Sequence, residues 1–315
     1  MTSDVKRGGV AGKATVGFVG LGAMGSRMAK RLIAAGYPVV GYNRTPAKAR
    51  WLIEAGLRLA DSPRAAAEGS QVVFSMVSDT AALRAVALAP DGIIAGLGPG
   101  ATLVEMSTVS PAIIRELAPL AEARGAALLD APVSGSGVTV EDGNLAFMVG
   151  GDPAVLERVR PFLLAIGPTI TQVGPLGFGK TMKIALNLGL GAQILAFSET
   201  VLLAERGGIP RERAVEAVLK SALASPMLKY RGPLVLDMPA EPIFNVGLMQ
   251  KDLELAMELG RAVGVALPSV ALAHEMLTAA RGLGLADYDF AVMFDVLAAM
   301  NGLRGSPKPQ RDAGA

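Results

Sequence analysis

The run Val16-Gly17-Phe18-Val19 is short and apolar, and it breaks at Gly20-Leu21-Gly22-Ala23-Met24-Gly25 into amphipathic helical spacing from Met24 to Ala35. A buried strand that turns on glycines into a helix is the opening unit of an α/β sheet, and such a turn brackets a dinucleotide pyrophosphate. Gly20 permits the tight turn, and Gly22 lets the backbone approach the pyrophosphate. Gly25 lets the helix pack on the strand with its N-terminal amides facing the anion. Leu21, Ala23 and Met24 complete the expected cofactor turn. The alternative is a glycine-rich turn in some other α/β protein; the strand before it and the helix after it favour the cofactor reading.

The second strand, Pro38 to Tyr42, ends at Asn43-Arg44-Thr45, close to where an NAD site places an acid for the adenosine ribose 2′-hydroxyl. No acid is there. A carboxylate would repel a 2′-phosphate, whereas a guanidinium forks onto it and a threonine hydroxyl adds a donor. The expected cofactor is therefore NADP (NADPH) rather than NAD. Read otherwise, Arg44 is a solvated turn charge and the preference stays open.

Apolar runs go on alternating with helical patterns: Gln71 to Met76, Thr102 to Glu105, Ala126 to Leu129, Leu145 to Val149 and Thr169 to Val173. Continuous apolar strands imply burial on both faces, so the expected fold class is α/β, an N-terminal doubly wound parallel sheet of Rossmann type. Ser110-Pro111 marks a helix start, where the missing amide donor costs nothing. After Gly174 the pattern changes. Helical spacing runs from Phe178 to Arg206, roughly 43 Å at about 1.5 Å per residue, and stops at Gly207-Gly208. Further helices are expected at Arg211 to Ala224, Lys251 to Val263, Pro268 to Gly282 and Phe290 to Met300. The expected organisation is a disordered leader over 1–15 and an NADP-binding domain over 16–174. An all-helical C-terminal domain for substrate and oligomerisation follows over 175–303, joined by the long interdomain helix, with a disordered tail over 304–315.

A chain of 315 residues suits two domains. Its formal charge is only +2, its basic residues are scattered and its aromatic share is 4%, so neither a basic stripe nor a stacking platform for nucleic acid is expected. The lack of cysteine rules out disulfides and thiolate chemistry, and it fits a reducing cytoplasm. The single histidine, His274, lies in a helical run and reads as a partly buried structural residue. No metal site is expected from one histidine, so acid and base chemistry falls to lysine, carboxylate or tyrosine. The uncharged stretch Ile184 to Ser198 contains Asn187 and Gln193 and is short against a bilayer core of about 30 Å, so no membrane partner is expected.

The segment Gly177-x-Gly179-x-x-x-Lys183-x-x-x-Asn187 opens the long helix. Lys183 and Asn187 stand four apart and project from one face, one turn from each other. Lys183 lies on an otherwise apolar face, and a desolvated lysine exchanges protons nearer neutrality than a solvated one. Asn187 can orient that ammonium or a substrate oxygen. The plain alternative is a surface lysine whose stem lies on apolar neighbours.

With these segments in view, the chain resembles the β-hydroxyacid dehydrogenase family, which holds 3-hydroxyisobutyrate dehydrogenase, tartronate semialdehyde reductase and glyoxylate/succinic semialdehyde reductase. The resemblance runs from Val16 to Leu303. It rests on Gly17 to Gly25, Ser107-Thr108-Val109, Asp130-Ala131-Pro132-Val133-Ser134-Gly135, Gly150-Gly151, the Lys183 and Asn187 motif, and Lys251-Asp252. It implies that Lys183 protonates the carbonyl oxygen as NADPH delivers hydride, and acts as base in reverse. Ser134 and Gly135 would hold the substrate carboxylate. Thr108 would lie beside the nicotinamide ribose, Met76-Val77-Ser78 would line the cofactor, and Lys251 would reach over the nicotinamide side. Lys251 also has a plainer reading, an exposed helix-start charge paired with Asp252. Two positions depart from the family pattern. Ser136 stands where relatives often have glycine, which would narrow the substrate pocket or add a hydrogen-bonding group. Leu186 precedes Asn187 where many relatives carry adjacent asparagines, a pattern that with Asn43-Arg44-Thr45 is more similar to the NADPH-dependent glyoxylate/succinic semialdehyde reductase branch.

The expected activity is NADPH-dependent reduction of a small carboxylate-bearing aldehyde or keto acid by a cytoplasmic homodimer or homotetramer. One alternative is imine reduction, whose enzymes usually replace the lysine with aspartate or tyrosine. Another is a non-catalytic NADP-binding scaffold, for which the lysine position would be impaired.

Overall fold

The computed structural model describes residues 13–309, and the chain divides into two compact units, one up to Lys180 and one from Thr181. The division falls inside the long helix.

In the first unit the described residues form one nine-stranded sheet. Its strands are β1 (Val16–Val19), β2 (Val39–Tyr42), β3 (Arg58–Leu59), β4 (Val72–Ser75), β5 (Thr102–Glu105), β6 (Ala127–Asp130), β7 (Val133–Ser134), β8 (Ala146–Gly150) and β9 (Thr169–Gly174). The order is β3-β2-β1-β4-β5-β6-β8-β7, with β9 beside β8. From β3 across to β6 every pairing is parallel. Phe18, Phe74, Val104 and Leu129 are in register on one face, and Val73, Leu103 and Leu128 on the other; each face is covered by its own apolar layer. Burial on both sides is why these strands read as unbroken apolar runs. Beyond β6 the sheet becomes mixed, because β8 runs antiparallel to β6 and β7 and parallel to β9. Strands β3 and β7 have two residues each, too few for a visible alternation, and the sequence reading passed over both.

Strand order reverses between β1 and β4, so the loops leaving their carboxyl ends border the crevice where open α/β sheets bind ligands. One loop is the glycine turn after Val19, and the other begins at Met76.

The second unit is helical, and among its described residues the sole β pairing is an isolated bridge between Asn245 and Asp289. Helices Phe178–Arg206 and Pro268–Gly282 have the expected bounds. The helix expected over Arg211 to Ala224 ends at Leu219, and a new one, Pro226–Arg231, starts after Ser225, whose hydroxyl accepts from Leu228 N. The helix expected from Lys251 begins at Val246, capped by Asn245. The last one opens as a 3-10 turn, Phe290–Val292, before Met293–Met300. By length and composition Phe178–Arg206 is long and apolar enough to cross a bilayer, which the shorter stretch counted in the sequence understates. Its inner face is spoken for: Ile184, Ile194, Phe197 and Val201 are buried with Met249, Leu253, Phe290 and Phe294 in the core of the helical unit.

The termini need correction. Of the expected disordered leader, Thr15 O accepts Gln71 N at 2.9 Å and Lys13 Nζ donates to Ala35 O; residues 1–12 lie outside the described residues. Of the expected disordered tail, 304–309 is tied down, and 310–315 lie outside the described residues. Asp295, 6% exposed, takes Ser306 N and the Lys308 ammonium (2.9 Å), and Met238 N donates to Pro307 O at 3.0 Å. A buried carboxylate needs such partners, and the polar tail supplies them.

Arg231 and Asp289 form the buried ion pair of the helical core, with Nε 2.9 Å from Oδ1 and Nη2 3.2 Å from Oδ2. The same carboxylate accepts Phe244 N and Ala291 N, each at 3.0 Å. Arg231→Met leaves that charge without its partner and is expected to cost about 3–5 kcal/mol. A urea-denaturation midpoint equal to that of the parent would contradict this.

Candidate active site

At Gly20 φ is +95°, and an added Cβ would lie 2.2 Å from Met76 O, so both the turn and the close approach to the end of β4 require glycine. At Gly25 a Cβ would lie 2.0 Å from Gly20 O and 2.9 Å from the Phe18 ring. At Gly22 it would meet nothing within 4 Å. The protein itself does not demand glycine there, whereas a cofactor lying against the backbone would.

The helix after the turn is chemically unlike its neighbours. Helices Thr80–Leu88, Pro111–Glu122 and Pro153–Ile166 are capped by the side chains of Asp79, Ser110 and Asp152. Helix Gly25–Ala34 has no side-chain cap and no acidic residue in its first turn. Ser26 N and Met28 N are spent on Gly22 O and Met24 O, but no side chain caps this end and its positive dipole end is unopposed, a condition for holding an anion.

Side chains stitch the adjoining strand ends to this turn. Asn43, after β2, accepts Leu21 N at 3.1 Å and donates to Thr45 O at 2.9 Å, with Arg44 and Thr45 exposed beside it. After β4, Val77 N donates to Ser107 Oγ at 2.8 Å. Met76 and Val77 are half-buried, and Ser78 is exposed and bonded to Asp79. The residues Gly20 to Gly25, Asn43 to Thr45, Met76 to Ser78 and Ser107-Thr108 thus share one edge of the sheet. They fit a dinucleotide: an uncapped helix start for the pyrophosphate and exposed donors at the end of β2 for the ribose.

Behind that edge lies a buried charge cluster that the sequence reading did not single out. Lys180 and Glu105 are both 0% exposed, with Lys180 Nζ 2.5 Å from Glu105 Oε2. The same ammonium donates to the carbonyls of Glu105 and Ser107, each at 2.8 Å. Asp130, at the end of β6, accepts Gly177 N at 2.6 Å and Lys180 N at 2.7 Å. Burial pushes the Asp130 carboxyl above its ordinary range, while Lys180 and the two amides pull it down. Two signals pointed to the pair: an acid closing the apolar run of β5, and a lysine within one turn of Lys183.

In the helical unit, Lys183 is half-buried. Asn187, 3% exposed, donates Nδ2 to Asp252 Oδ2, and its Oδ1 is buried with no hydrogen-bond partner among the described residues. Asp252, 1% exposed, has Lys251 Nζ 2.7 Å from Oδ1. Lys251 is half-buried in the second turn of Val246–Val263, so it is neither at the helix start nor exposed, although it does pair with Asp252. With one N–H of its amide spent on Asp252, Asn187 keeps its oxygen as an acceptor, which suits an ammonium or a hydroxyl. Asp252, read from the sequence only as a partner for Lys251, proves to be the residue that fixes Asn187.

Ser134 and Gly135 are exposed at the end of β7. Ser136 is engaged elsewhere than expected: its hydroxyl accepts Thr139 N at 3.4 Å and its own amide donates to Thr139 Oγ1 at 3.1 Å, the capping box of helix Gly137–Glu141. His274 is on helix Pro268–Gly282, with Nε2 3.3 Å from both Gln250 Nε2 and Glu254 Oε1. Among the described residues no group of three or more metal-ligating side chains comes together.

A parallel sheet with an uncapped helix start at its switch point, followed by an all-helical unit, is the plan of an NAD(P)-dependent dehydrogenase. Residues 15–174 match the profile of the NAD binding domain of 6-phosphogluconate dehydrogenase, and 177–297 that described as NAD-binding of NADP-dependent 3-hydroxyisobutyrate dehydrogenase. The chain is 34% identical to glyoxylate/succinic semialdehyde reductase 2, a chloroplastic protein of Arabidopsis thaliana, over 91% of this chain and 80% of that one. It is similar to the solved structure of 3-hydroxyisobutyrate dehydrogenase from Salmonella typhimurium, with a TM-score of 0.82 at 30% identity over 90% of this chain and 100% of that one. A further structure, Psf3 in complex with NADP+ and 2-OPP, gives a TM-score of 0.82 at 28% identity over 90% of this chain and 99% of that one. The chain belongs to the β-hydroxyacid dehydrogenase family, whose members among its relatives are NAD(P)-dependent oxidoreductases of small hydroxy and oxo acids.

Gly22→Ala tests the cofactor turn. Stability is expected to stay within about 0.5 kcal/mol of the parent, since the added Cβ meets nothing within 4 Å. The dissociation constant for the nicotinamide dinucleotide, read by fluorescence titration, should rise by about tenfold or more. Unchanged binding would contradict the assignment.

Proposed function

We propose that the protein is an NADP-dependent reductase of a small carboxylate-bearing aldehyde or keto acid, of the glyoxylate or succinic semialdehyde type. Bound NADPH supplies the hydride that the carbonyl carbon accepts. Lys183 gives a proton to the carbonyl oxygen, leaving a hydroxy acid and NADP+, and takes that proton back in the reverse direction. Asn187, held by Asp252, turns its free acceptor to the Lys183 ammonium or to the product hydroxyl. Ser134 Oγ and the Gly135 amide hold the substrate carboxylate, while Ser136 is left to its capping box. Arg44 and Thr45 take the 2′-phosphate. Met76 to Ser78, Thr108 and Lys251 border the nicotinamide half.

The observation that carries the chemistry is the buried Asn187 and Asp252 pair one turn along the helix from Lys183, which leaves the Asn187 oxygen unpartnered among the described residues. It favours carbonyl over imine reduction, because the lysine and its orienting amide are both present. The reading includes a cytoplasmic homodimer or homotetramer; exposed apolar side chains of the helical unit, among them Leu203, Val263 and Met300, support a subunit interface.

The first assay is NADPH oxidation against glyoxylate, succinic semialdehyde, tartronate semialdehyde, methylmalonate semialdehyde and a cyclic imine, and turnover is expected with at least one of the acids. Lys183→Met should lose about 10² to 10⁴ in kcat with NADPH affinity almost unchanged; near-parental turnover would remove its role. Arg44→Ala should lower the NADPH-to-NADH preference by about tenfold. An unaltered ratio defeats the phosphate assignment.

A further inference from the structure

The buried cluster behind β5 and β6 ties together segments of the proposed site. A lysine ammonium has three N–H groups. Two of those of Lys180 go to Glu105 O and Ser107 O, and the ammonium is ion-paired with Glu105 Oε2, so its contacts all end on the residues immediately before Thr108. Glu105 Oε1 closes the same loop by accepting Ser107 N at 3.0 Å. On the other side, the amides of Gly177 and Lys180 go to Asp130, which leads through Ala131 and Pro132 to β7 and Ser134. The helix start sits so close that a Cβ at Gly179 would lie 2.5 Å from Met148 O and 2.7 Å from Asp130 O. Lys183 follows Lys180 within one turn of the same helix.

Burying an acid and a lysine for stability alone is a poor solution, since a well-packed apolar pair of similar volume does as well or better. What the ion pair adds is direction, because it has one arrangement in which all its bonds are made. We propose that Lys180 and Glu105 are positioning residues for hydride transfer, holding the Ser107-Thr108 loop and the start of the Lys183 helix in one fixed geometry. This rests on the reading under Proposed function. Neither residue touches substrate or cofactor in this scheme.

The experiment compares the full-length parent with Lys180→Met and with the double variant Glu105→Gln/Lys180→Met. Lys180→Met alone leaves a buried carboxylate without its cation, and its Tm should fall by roughly 10 °C or more. The double variant removes both charges and should recover most of that loss. Its NADPH dissociation constant should stay within about threefold of the parent, while kcat falls by about 10²-fold, the size of effect that a displacement of about 1 Å produces. The pH dependence of kcat should keep the parental midpoint, because Lys183 is still the acid. Hydrogen exchange, which needs no substrate, should quicken over 105–109 and 176–184 and stay parental over β1 and β2. An active parent whose folded double variant keeps its kcat, or keeps parental exchange in those two segments, overturns the positioning role alone. A parent with no turnover on the whole panel overturns the activity reading and the positioning role with it.

Discussion

The contact between Lys180 and Glu105, closed to water on every side, is what the carboxyl edge of the sheet is built around. A buried ammonium needs partners, so its two hydrogen bonds and its ion pair dictate where the Glu105 to Ser107 backbone and the first turn of the long helix must meet. Asp130 completes the arrangement by taking two amides at the beginning of that helix, a buried carboxylate serving as its N-terminal cap. At the same sheet edge, helix Gly25–Ala34 begins with no cap at all. One sheet thus carries two helix starts treated in opposite ways: one capped by a buried carboxylate, the other without a side-chain cap.

The same division between spent and unspent polar atoms runs through the helical unit. Asp289 has its full set of partners in Arg231, Phe244 and Ala291, and its work is to hold the core. Asn187 is different. Its amide is fixed by Asp252, yet its oxygen is buried with no partner among the described residues, so it keeps an acceptor in hand one turn from Lys183. Glu105, Asp130 and Asp289 have their polar atoms engaged within the fold, while Asn187 keeps an unpartnered oxygen among the described residues.

Strands β1, β2, β4 and β5 were readable because burial on both faces makes them continuous apolar runs, and the glycine turn because its neighbours declare a strand and a helix. Helix Phe178–Arg206 was readable to the residue from its spacing and its glycine stop. Much of what escaped is set by partners distant in sequence. The burial of Lys180 depends on Glu105, 75 residues away, and the orientation of Asn187 depends on Asp252, 65 residues away. The ordered segment 304–309 exists because Asp295 needs donors, which its polar composition concealed. Ser136, read as a substrate-loop residue, also caps helix Gly137–Glu141 with Thr139, whose hydroxyl stands where a capping box usually has glutamate or glutamine.

The account stands on the delivery of one amine, Lys183, to the carbon that exchanges hydride. A crystal structure of the protein with NADP+ and a small hydroxy acid tests this most directly. The pyrophosphate is expected over the amides that follow Gly22, with Lys183 Nζ within about 2.6–3.2 Å of the substrate hydroxyl oxygen. A pyrophosphate bound elsewhere, or a Lys183 amine turned to bulk water with the hydroxy acid in place, would contradict it.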